Sequence, residues 1–178
     1  MANFQKAVLY LWDAIRKHNC ENVAVILNGK FPADAELSPS GMVGLHFAAT
    51  LGDVDIMKQL VDAGADVNKK DKYGRTALHF ACSNGKDEAI QLLLGLPGIN
   101  VNATTLGHET PLSKALQFGH HNSAALLLEC GADPTVSNSL GQDARTLAGL
   151  TKNEATMKMV DEYAAKFPAA HEGEEMKD

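Results

Sequence analysis

The chain is short of cysteine, of net positive charge and of long apolar runs, and each shortage removes a class of protein. Its three cysteines, Cys20, Cys82 and Cys130, are odd in number, far apart and form no Cys-x-x-Cys pair. Neither a disulfide framework nor a zinc cluster is therefore encoded, and a reducing compartment is expected. Sixteen lysines and arginines stand against 22 aspartates and glutamates, a formal charge of −6. That balance supplies no field for capturing phosphate backbones and argues against a nucleic-acid partner. The opening residues MANFQKAVLYLWDAIRKH hold only a short apolar run, broken by Asp13 and Arg16. No membrane span or secretory leader is read, so the cytoplasm or nucleus is the expected location. The phosphate loop G-x-x-x-x-G-K-S/T, the dinucleotide motif G-x-G-x-x-G and the nucleophile elbow G-x-S-x-G are all missing, and no serine or cysteine is recognisably paired with a histidine. No catalytic residue, metal or cofactor is assigned. What remains is 178 residues, 45% hydrophobic and 21% charged, the composition of one soluble globular unit.

What is present is repetition. From Ser38 the chain reads SPSGMVGLHFAATLG and from Asp71 DKYGRTALHFACSNG; Gly41 and Gly74, His46 and His79, and Gly52 and Gly85 are each 33 residues apart. Pro97 adds one residue, after which the interval becomes 34 and TTLGHETPLSKALQFGHHNSAALLLECGADPTV sets Leu112 against Leu78 and Gly119 against Gly85. Weaker copies flank these. Upstream, LWDAIRKHNCENVAVIL places Leu11 against Leu45 and Ala14 against Ala48. Downstream, SLGQDARTLAGLTKNEATMKMV places Gly141 against Gly74 and Val160 against Leu93, with Arg145-Thr146 in place of the Leu-His pair.

Each copy predicts a turn followed by two short helices. Glycine suits the turn, and Thr76-Ala77 or Thr110-Pro111 opens the first helix with a capping hydroxyl and a residue fitted to the first turn. The first helix stops near Gly52, Gly85 or Gly119, and the second carries apolar residues such as Ile90, Leu93 and Leu94 on one face. Such a pair cannot bury its apolar faces alone, so the copies must stack, each covering the next. The ends of a stack face water, which predicts atypical, more polar terminal copies.

The segments GRTALHFA, ETPLSKAL, AGADVN and CGADP resemble the ankyrin repeat, over about residues 4–167. The departures are Val43-Gly44 for Thr-Pro, His108 for the turn glycine, Ser113 for histidine, and the altered last copy. The resemblance implies an all-α solenoid of stacked helix-turn-helix units with turn or hairpin tips. About five units are expected: a cap at 4–37, repeats at 38–70, 71–104 and 105–137, and a C-terminal cap at 138–167, within one domain of 1–167. The remaining segment, 168–178, reads as an acidic, disordered, solvating tail.

The same resemblance implies a slightly curved stack that binds another protein on a concave side built from turn tips and first helices, working as a monomeric adaptor, sequestering or inhibitory module rather than an enzyme. Its expected positions are Ser40, Met42, Thr50 and Leu51 in the second unit and Lys72, Tyr73, Arg75, Ser83 and Asn84 in the third. Leu106, Glu109, Gln117 and Phe118 follow in the fourth, and Leu140 and Gln142 in the fifth. Tyrosine and arginine are enriched at interface hot spots, and Tyr73 and Arg75 sit at a tip that offers little to pack against. Leu51 and Phe118 read equally as binding residues or as packing between first helices. An alternative from a different class is that LVDAGADVN, ending at Asn68, resembles a site modified by asparaginyl hydroxylases in ankyrin proteins, or that the chain is a regulatory subunit of an enzyme complex. Against modification, this asparagine can simply hydrogen-bond within its turn.

His46 and His79 read as helix-start residues bonded to nearby backbone rather than as ligands, His120-His121 as a solvated pair, and Cys82 as a buried inert thiol. The register itself is testable. Leu93→Ala is expected to cost about 2–5 kcal/mol through lost transfer energy and a cavity, whereas Lys72→Ala should cost little. Comparable urea midpoints for the two variants would contradict the register.

Overall fold

Among the described residues ten helices form, each turning an apolar side inward, and several are opened by a polar side chain at their own N-cap. The computed structural model describes residues 2–167; the acidic segment 168–178 lies outside the described residues. The helices are α1 (Ala2–Arg16), α2 (Cys20–Asn28), α3 (Gly44–Leu51), α4 (Val54–Asp62), α5 (Ala77–Ser83), α6 (Asp87–Leu94), α7 (Pro111–Gln117), α8 (His121–Glu129), α9 (Ala144–Leu150) and α10 (Glu154–Ala164). Consecutive helices pair, and the pairs stack into an all-α solenoid. The odd-numbered helices neighbour one another in one layer and the even-numbered helices in a second. Leu11, Leu45, Leu78 and Leu112 from the first layer and Ile56, Ile90, Leu93 and Leu127 from the second are fully buried between units, which is where the helical spacing placed the apolar stripe.

The helix starts show how adjacent units lock. Asp53, Thr110, Asp143 and Asn153 accept from the backbone N–H of Ile56, Ser113, Thr146 and Thr156, three residues on in each case. At α3 and α5 a histidine serves instead. His46 Nδ1 accepts the Val43 N–H at 3.1 Å while its Nε2–H donates to the Lys69 carbonyl at 2.9 Å. His79 does the same with Thr76 N–H and the Glu109 carbonyl, at 3.1 and 3.0 Å. The second bond of His79 crosses to the next unit's tip and staples two repeats, whereas that of His46 closes on Lys69 at the end of its own unit, two residues before the third unit's tip. Thr76 departs from its expected part: its hydroxyl bonds His79 Nδ1 at 2.9 Å, the same ring nitrogen that takes the Thr76 backbone N–H. In the fourth unit Ser113 bonds Thr110 within its own turn, and no staple runs onward from that position.

The turns between paired helices need a left-handed residue. Gly85 has φ +60°, and a Cβ there would lie 2.5 Å from the His120 ring of the next unit, so both backbone and space require glycine. His120 is thus no solvated residue. It is half-buried and donates through Nε2 to the Ser83 carbonyl at 3.2 Å, while His121 Nδ1 lies 2.7 Å from the Thr156 hydroxyl. The two adjacent rings diverge and tie their unit to both neighbours. The equivalent turns of the first and last units carry His18 and Lys152 at φ 54°.

The first unit is only partly the polar cap that solenoid logic predicts. Asn22 replaces an internal apolar residue, but Leu9, Tyr10 and Val25 stay 66%, 57% and 70% exposed. Internally, Val43 and Gly44 occupy the positions of Leu9 and Tyr10 and are covered by the preceding unit; no unit precedes the first among the described residues.

The buried histidines make stability depend on acid. Burial holds both rings below the usual imidazole range, His79 at about 4. In the unfolded chain the ring protonates near 6.5, so stability is fully present above that pH and is lost as the pH falls from 6.5 towards 4. The difference is worth about 3 kcal/mol for His79. Unfolding midpoints between pH 7 and 4.5 are expected to fall less steeply for His79→Gln than for the wild-type chain; parallel slopes would refute a neutral, stapled His79.

Candidate recognition surface

Four tips project from the stack, and one design recurs in each. A short polar side chain at the tip's start accepts the backbone N–H groups of the turn. Ser38 accepts from Met42; Asp71 from Tyr73 and Arg75; Thr105 from Gly107 and Glu109; Asn138 from Leu140 and Gln142. Successive tips are then tied main chain to main chain. Lys72 N–H donates to the Ser40 carbonyl, Leu106 N–H to Tyr73 and Ser139 N–H to Gly107, at 2.9, 2.9 and 3.0 Å. Gly74, at φ +78°, sits so close that an added Cβ would lie 3.1 Å from the Leu106 nitrogen. The tips form a continuous ledge rather than separate flexible loops.

On this ledge the third unit carries a built cluster. Asp71 is 6% exposed and takes the Arg75 guanidinium through Nε at 2.8 Å and Nη2 at 2.6 Å. The guanidinium carbon lies 4.9 Å from the Tyr73 ring centroid and 4.6 Å from that of Phe80. Arg75 is therefore packed and paired, whereas the sequence suggested a tip with little to pack against. Tyr73 keeps one ring face on Arg75 and remains 57% exposed. Sequence reasoning missed Asp71 and Phe80: the Asp-x-x-x-Arg spacing was visible, but a turn carboxylate facing a first-helix aromatic becomes a contact only after folding.

The structure distributes the other expected positions unevenly. Leu106 adjoins Tyr73 through the tip ladder and is 73% exposed, and Leu140 projects from the tip after that of Leu106 at 80%. Glu109 pairs with Lys114 at 2.7 Å, and Lys114 reaches Gln117 at 3.3 Å, which joins tip and first helix in the fourth unit. At the far ends of the first helices, Leu51 is half-buried against the core, Asn84 donates to the Phe80 carbonyl, and Phe118 is 55% exposed. Lys72 is exposed and donates to the Pro39 carbonyl of the preceding tip. Ser40, Met42, Thr50, Ser83 and Gln142 are all half-buried.

Asn68 lies away from these tips, in the loop after α4. Its Oδ1 accepts from Asn100 N–H at 2.8 Å and its Nδ2 donates to the Gly98 carbonyl at 2.7 Å, so both ends of the amide hold the next unit's loop. Asn102 accepts from Asp133 N–H one unit later. Cys82 is fully buried, which pushes its thiol well above the ordinary range. Among the described residues no cluster of three or more His, Cys, Asp or Glu could hold a metal, and no helix is long and apolar enough to cross a membrane.

The description "Ankyrin repeats (3 copies)" matches residues 11–105 and again 45–138. Protein phosphatase 1 regulatory subunit 27 from Homo sapiens is 35% identical over 108 residues, 61% of this chain and 69% of that protein. Its Mus musculus counterpart is 36% identical over 93 residues, 52% of this chain and 60% of that protein. Neurogenic locus notch homolog protein 2 from Homo sapiens is 32% identical over 127 residues, 71% of this chain but 5% of that much longer protein.

Proposed function

From the premise that this chain belongs to the ankyrin-repeat family and is a protein–protein interaction module, we propose that it is a non-enzymatic regulatory adaptor or sequestering protein, monomeric, binding one protein partner across its tip ledge and first helices. The observation that carries this reading is the third-unit cluster. An exposed tyrosine stacked on an arginine, itself fixed by a buried carboxylate, is a rigid aromatic–cation platform that loses little conformational freedom on binding. Leu106 extends the platform with exposed apolar surface. A relative that is a regulatory subunit of protein phosphatase 1 supports the regulatory sense of the reading, and three free cysteines support a cytoplasmic or nuclear setting. The engaged amide of Asn68 supports a structural duty there over hydroxylation.

Because Arg75 neutralises a buried carboxylate, Arg75→Ala is expected to destabilise the fold and is a poor probe of binding. Tyr73→Ala leaves that pair intact. It should leave the thermal midpoint nearly unchanged yet weaken capture of the principal partner by about 2 kcal/mol, the scale of a hot-spot truncation. Lys58→Ala, on α4 in the opposite layer, should do neither. Capture that survives Tyr73→Ala and fails with Lys58→Ala would place the partner on the second-helix layer instead.

A further inference from the structure

The charges of this acidic chain are sorted between its two layers. Helices α4, α6 and α8 carry Asp55, Asp62, Asp87, Glu88 and Glu129 against the single lysine Lys58. Helices α3, α5 and α7 carry no carboxylate and one cation, Lys114. The segment KKDKYGR, which leads into and forms the third unit's tip, concentrates the opposite sign, with Lys69, Lys70, Lys72 and Arg75 around Asp71. Asp71 cancels only Arg75. Among the described residues no carboxylate lies within 4.0 Å of the other three ammonium groups: Lys70 and Lys72 donate to the main-chain carbonyls of Thr104 and Pro39. These neutral acceptors spread the two side chains towards the fourth and second units without cancelling their charge. Tyr73 and Leu106, joined through the tip ladder, stand exposed beside them.

On this basis, and resting on the ledge reading above, we propose that the site takes an acidic protein segment, one that sets two or more carboxylates next to an aromatic or aliphatic side chain. The apolar residue covers Tyr73 and Leu106. The carboxylates meet Lys69, Lys70 and Lys72, replacing neutral carbonyl acceptors with charge-assisted bonds at a site whose opposite layer repels the same segment. A neutral segment would gain only the apolar contact, and a basic one would be turned towards the acidic layer.

The test is selection of binders to the intact chain from a library of random short peptides, followed by affinity measurement on the synthesised winners. The winners are expected to be rich in Asp and Glu beside one large apolar residue. Their affinity should fall at least about tenfold against the triple variant Lys69→Glu, Lys70→Glu, Lys72→Glu, fall less against the corresponding Gln variant, and weaken with added salt. Unchanged thermal midpoints show that both variants fold, and the Gln variant serves alone if the Glu variant does not. Winners that are neutral or basic yet lost on Tyr73→Ala overturn the acidic segment and leave the ledge reading standing. Winners indifferent to both Tyr73→Ala and the lysine changes overturn the ledge reading itself. An oligothymidine that binds as tightly as the acidic winners overturns the protein segment in favour of nucleic acid.

Discussion

Two short helices joined by a tight turn have more apolar surface than they can cover, and everything else in this molecule follows from that deficit. The leucines and isoleucines of one pair are buried only by the next pair, so the fold exists only as a stack. Stacking then sets its own demands. Each interface also contains backbone groups from turns and helix ends, and these must find partners where water is excluded. The chain meets the demand with side chains that reach into neighbouring units: His79 to the following tip, Asn68 and Asn102 to the loops after the second helices, His120 back to the end of α5 and His121 forward to the start of α10. The polar network is thus a consequence of the apolar one and fixes the register between units.

The recognition ledge inherits its order from the same source. A tip of a few residues standing alone would fluctuate, but each tip here is tied to its neighbour by a main-chain bond and internally by a side-chain oxygen. That arrangement holds Tyr73, one face against Arg75, and Leu106 outward. It also explains why the acidic composition of the whole chain misleads about the surface. Net charge is a sum, whereas a partner meets one layer, and the layer bearing the tips is the less acidic one.

The fold was legible because its determinants recur. Glycines, the Leu-His pair and the apolar stripe return at fixed intervals, and a period survives local departures such as Ser113 or His108. Contacts that depend on the packing of particular side chains were not legible. Nothing in His120-His121 distinguishes two solvated rings from two rings tied to different neighbours, since the bonds join residues 37 and 35 positions apart. Thr76 carried the sequence signature of a capping hydroxyl, but its hydroxyl and its own backbone N–H both meet the buried His79 ring, a contact the signature does not announce. Arg75 looked free because its partners, Asp71 and Phe80, belong to a turn and a helix whose relative placement the repeat pattern does not specify. The charge sorting was likewise present in the string but meaningless until the layers were known.

The central claim, that stacking preorganises the tips into a rigid ledge, is tested most directly by native-state amide hydrogen exchange. The Lys72, Leu106 and Ser139 amides, which donate across tips, should be protected to within about tenfold of buried amides in α5 and α6, because they open only when neighbouring units part. Exchange of these three amides at the rate of an unstructured loop, with the helices still protected, would contradict the account.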